Sequence, residues 1–64
     1  MSRYRYIVCR PRHTGTEVNT LREAKDTARN LSVELPYLYE VWRVTADGAQ
    51  YLLYTACDGG LRTV

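Results

Sequence analysis

One amphipathic helix, with no second one to pair with it, is what most constrains this 64-residue chain. Leu21, Ala24, Ala28, Leu31 and Leu35 recur at spacings of 3, 4, 3 and 4, which at 100° per residue places them in an apolar stripe roughly 80° wide. Ahead of it, Thr20-Leu21-Arg22-Glu23 fits a capping box, in which the Thr hydroxyl accepts from the Glu amide and the Glu reaches back. Pro36 clashes with a continuing helix and drives Leu35 out of the α region, so the helix is expected to stop around Ser32 to Glu34. Arg22, Asp26, Arg29 and Asn30 occupy the other side, which reads as solvated. A single stripe covers a single sheet face, so the remaining residues must build a sheet whose second face no helix protects.

Three segments carry strand chemistry. Residues 3–9 (RYRYIVC) alternate and then turn apolar before Pro11 ends the run. Residues 37–45 and 49–55 hold the only Trp and four of the six Tyr, and Asp47-Gly48 between them suits a two-residue type I′ hairpin turn. The intervening 10–19, with Pro11 and Gly15, reads as an exposed loop, and Asp58-Gly59-Gly60 as a further turn. Residues 61–64 are left open between a short edge strand and a frayed end. The expectation is an α+β fold, with residues 1–64 as a single β-α-β-β domain in which a three-stranded sheet carries the helix on one face. Strand orders 1-2-3 and 1-3-2 both fit.

A two-residue turn pairs Val44 with Tyr51, Trp42 with Leu53 and Glu40 with Thr55. Trp42, Val44, Tyr51 and Leu53 then share the more apolar face, assigned to the helix together with Tyr4, Tyr6 and Val8 of the first strand. The uncovered face is expected to show Tyr39, Val41, Arg43, Leu52 and Tyr54, beside Arg3, Arg5 and Ile7. A loop one residue longer would instead bring Leu52 and Tyr54 onto the Trp42 face.

Three uses of a tyrosine and arginine face are open. It is an ordinary half-exposed sheet surface, or a protein interface formed with a partner or a second copy, since interfaces favour Tyr, Trp and Arg. The third use is a nucleic-acid platform, with Tyr39 or Tyr54 stacking on bases and Arg3, Arg5, Arg10, Arg12 and Arg43 on phosphates. The protein interface is the leading expectation, with Tyr39, Val41, Arg43, Leu52 and Tyr54 as its contact residues. A net charge of only +2 weighs against the platform, although Arg3, Arg5, Arg10, Arg12 and His13 all precede the first acid.

No apolar run approaches the ~18 residues of a membrane span, and the N-terminus lacks the apolar region of a signal peptide, so a cytoplasmic protein without membrane contact is expected. Cys9 and Cys57 read there as two free thiols rather than a bridge. Cys9, His13, Cys57 and Asp58 lack zinc-ligand spacing, and the loop RPRHTG lacks the spacing of a phosphate-binding loop. So short a chain has little room to enclose the several hundred Å³ of a substrate pocket. Accordingly, neither enzymatic activity, nor a metal, a cofactor or a small-molecule substrate is expected.

The run Thr20-Leu21-Arg22-Glu23-Ala24 followed by Tyr39-Glu40-Val41-Trp42-Arg43-Val44 resembles short orphan accessory proteins of bacteriophages and high-GC bacteria. The resemblance spans about half of the chain. It implies an accessory or host-directed binding role and carries over no catalytic residues.

Overall fold

The computed structural model describes residues 4–64. The chain runs β1 (Arg5–Cys9), β2 (Thr16–Val18), α1 (Leu21–Glu34), β3 (Tyr39–Val44), β4 (Gln50–Cys57) and β5 (Gly60–Thr63). The five strands form one antiparallel sheet in the order β2-β1-β3-β4-β5. The α+β class with one helix stands, but the three-stranded β-α-β-β sheet is corrected to five strands in the sequence β-β-α-β-β-β. β2 was hidden because three residues are too few to display an alternation. It also lies in a stretch whose Pro11 and Gly15 carry turn chemistry.

Helix α1 begins and ends where its signals place it. The Thr20 hydroxyl accepts from the Glu23 amide at 3.1 Å, and Leu35 closes the helix in an extended conformation that Pro36 enforces, its own amide donating to the Leu31 carbonyl at 2.9 Å. Ala24 and Ala28 are fully buried. Two alanines at the centre of the contact stripe let the helix backbone approach the sheet, and the rings of Tyr6 and Tyr39 join Val8, Val41 and Ala56 in the core beside them. Leu35, the last member of the stripe, is exposed because it has already left the helix. Ser32 is buried instead. Its hydroxyl donates to the Arg29 carbonyl and accepts from the Gly59 amide at 2.8 Å, fastening the β4–β5 turn to the helix.

The turns decide which side chains reach the core. In the β3–β4 hairpin, Thr45 donates to the Ala49 carbonyl and Gly48, at φ 89°, donates to the Thr45 carbonyl, so the loop is Ala46-Asp47-Gly48 rather than a type I′ pair. Asp47 accepts from the Thr45 hydroxyl and the Ala49 amide, which hold its carboxyl below the usual carboxylate range. The longer loop puts Leu52 opposite Trp42, and a bulge between Val41 and Trp42 then restores the expected pairing of Glu40 with Thr55. The type I′ geometry occurs one hairpin later, where Asp58 and Gly59, at φ 52° and 79°, connect Cys57 to Gly60.

Candidate functional site

Directly opposed residues of an antiparallel pair share a face, and this rule inverts the expected assignment of β3. Tyr6 and Val8 of β1 point to the helix as expected, and they stand opposite Arg43 and Val41. Val41 therefore packs under α1 together with Tyr39 two residues away, at 0% and 6% exposure. Ile7 stands opposite Trp42, so the indole joins the uncovered face. The electrostatics agree. Each alternation of β3 carries one charge, and the long stem of Arg43 carries its guanidinium to the rings of Tyr4 and Tyr51, although its Nε is buried there without a hydrogen-bond partner among the described residues, whereas Glu40 under the helix would be a stranded carboxylate.

Of the residues expected on the open face, Tyr39, Val41 and Arg43 lie on the helix side, and Tyr54, opposite Val41, packs on the core there. Only Leu52, Arg5 and Ile7 keep the expected side. Of the five arginines expected to contact phosphate, the four that are described do not converge. Arg3 lies outside the described residues; Arg5 is paired with Glu17 at 3.1 Å; the Arg10 guanidinium sits 3.7 Å from the ring centre of Tyr37. Arg43 stands between the rings of Tyr4 and Tyr51 at 4.9 and 5.4 Å, while Arg12 projects from the β1–β2 loop.

The uncovered face contains a cleft of about 450 Å³ beside Trp42. Ile7 and Trp42 supply its apolar surface, Glu40 and Glu17 its carboxylates, and the β1–β2 loop forms a wall bearing Arg12 and His13. That wall is tightly specified. The His13 amide donates to the Arg10 carbonyl at 3.1 Å, and with Pro11 second and Arg12 third at φ 66° the turn has the pattern of type II, in which Gly or Asn is usual at the third place. Gly15 then folds onto β1 so closely that an added Cβ would lie 2.2 Å from the Val8 carbonyl oxygen and 2.5 Å from the Cys9 Cβ. Cys9 is buried there, and that burial, reinforced by the Glu40 carboxylate, pushes its thiol pKa up. Neither Cys9 nor the exposed Cys57 is in a disulfide.

At the base of the cleft the indole Nε1–H of Trp42 donates to Glu40 Oε1 at 3.1 Å. Among the described residues no three of His, Cys, Asp and Glu come together as a metal site would require, and no helix is long and apolar enough to cross a membrane. No family model, curated protein or solved structure matches this chain.

Sequence reasoning put Trp42 in the core and passed over Glu40 as a site residue. The signal was present in Glu40 itself, a carboxylate in the same alternation as the Trp, which argues against burying that alternation.

Proposed function

We propose that this domain is a non-enzymatic module that grips a protein partner with the uncovered face of its sheet. The observation that supports this reading is the face itself: Trp42 and Ile7, opposed across β1 and β3, continue to Leu52 across β4, a ridge of three large, half-buried apolar side chains that no element among the described residues covers. Such a ridge beside a polar cleft has the make-up of an interface core with its rim. The resemblance to phage-type accessory proteins points the same way. A nucleic-acid platform has less support, because Tyr39 is buried, Tyr54 is packed on the core beneath Lys25, and the uncovered face presents Glu40 and Glu17 toward any phosphate.

Affinity capture from lysate of the source cells tests this reading, with Ile7→Lys as the control. Ile7 faces Glu17 across the ladder, so a lysine there keeps an ionic neighbour while breaking the ridge. The wild type is expected to retain a partner that the folded variant loses by at least about tenfold, roughly the worth of one buried apolar anchor. Equal retention by both would contradict the reading, and light scattering across concentration reports whether that partner is a second copy.

A further inference from the structure

The aromatic side chains of this protein show a regularity with one exception. Tyr37 has Arg10 over its ring, Tyr54 has Lys25, and Tyr4 and Tyr51 share Arg43. Tyr6 and Tyr39 are buried in the core. Trp42, the strongest cation acceptor among aromatic side chains, is the one aromatic outside the core, among the described residues, that no cation covers. Beside it Glu40 is half-buried and, among the described residues, receives only the neutral indole N–H, whereas the other carboxylate of the cleft, Glu17, already has Arg5. A half-buried carboxylate whose only protein donor among the described residues is a neutral N–H, set against an indole that no described cation covers, offers both halves of a cation site.

We propose that the cleft receives the side chain of a single arginine presented by the protein partner, its guanidinium lying on Trp42 and pairing with Glu40. The proposal rests on the open-face reading and names the chemistry of the partner. Arginine fits better than lysine because its planar, weakly hydrated head stacks on a ring and reaches a carboxylate at the same time. Arg12, beside His13 on the exposed wall, disfavours a second cation, so the arginine sits among neutral or acidic neighbours rather than in a basic run. The same two residues stand where they would meet a carboxylate or backbone carbonyls flanking it.

The probe is Nα-acetyl-arginine amide, titrated at constant ionic strength and read by the fluorescence and the indole N–H resonance of the single Trp. A saturable change with millimolar dissociation is expected, weaker by about tenfold for the uncharged citrulline analogue. Glu40→Gln keeps an acceptor for the Trp42 indole and removes the charge, so the variant is expected to fold, as checked by circular dichroism, and to bind arginine amide about tenfold more weakly. Absence of saturation at tens of millimolar, equal binding of citrulline amide, or unchanged binding by folded Glu40→Gln would each overturn the assignment. Those results would leave the open-face reading to its own test with Ile7→Lys, so the two fail separately.

Discussion

Replacing Tyr39 with alanine is expected to destabilise the domain by about 3–5 kcal/mol, the usual cost of deleting a buried aromatic side chain. Tyr39 is 6% exposed and packs in the cluster that includes Ala24, Ala28 and Val41, beneath a helix whose small contact residues leave nothing to close the gap. A domain of this size buries only ~60% of its unfolded surface, and a core this small rarely supplies more than about 3–5 kcal/mol of net stability, so a loss of the same size should leave the variant largely unfolded at room temperature. Trp42→Ala should cost about 2 kcal/mol and leave a folded protein, because the indole is half-buried on the uncovered face. Urea denaturation of both variants, followed by circular dichroism, checks the order. Collapse of Trp42→Ala with a mild effect at Tyr39 would mean that the helix covers the other face.

The second large effect is expected at Gly15. An alanine there would place its Cβ 2.2 Å from the Val8 carbonyl oxygen and 2.8 Å from the Val8 carbonyl carbon. Both are backbone atoms of an inner strand, so no flexible side chain can move aside, and the loop must lift from β1. Overpacking of this kind costs about 1–3 kcal/mol. The damage should be local in pattern: hydrogen exchange is expected to speed up first at the amides linking β2 to β1, which is also where the Arg12 and His13 wall of the cleft is anchored. Gly15→Ala should therefore weaken arginine-amide binding even where the rest of the sheet stays folded. Unchanged exchange across β1 and β2 would show that the loop does not sit against the strand.

Local chemistry made the helix legible. The Thr20 cap, the Leu21 to Leu31 stripe and the Pro36 stop each act within a few residues, and all three appear at the expected positions. The sheet was less legible because its phase depends on what pairs with what. β1 has the expected inward residues, but only its antiparallel register with β3 carries that phase across and turns Trp42 outward. On β4 two departures act in succession. A three-residue loop shifts the strand by one, and the bulge beside Leu53 shifts it back, so Leu52 and Tyr54 end on opposite faces although both are even-numbered. No alternation rule reads through a bulge. β2 and β5 are edges of three and four residues, short enough that turn chemistry dominates their sequence. The candidate site was hidden for the same reason, since a cleft built from a loop wall and a central strand exists only once β2 has folded back on β1.

The claim on which the rest depends is that Trp42 lies on an uncovered face. Acrylamide quenching of its fluorescence measures this directly, as no other tryptophan contributes. The isolated domain, at a concentration where light scattering finds it monomeric, is expected to be quenched appreciably and to emit between the extremes of buried and fully exposed indole, with saturating arginine amide reducing the quenching. A blue-shifted emission that acrylamide does not reach in the folded monomer would place the indole beneath the helix and contradict both the face assignment and the site built on it.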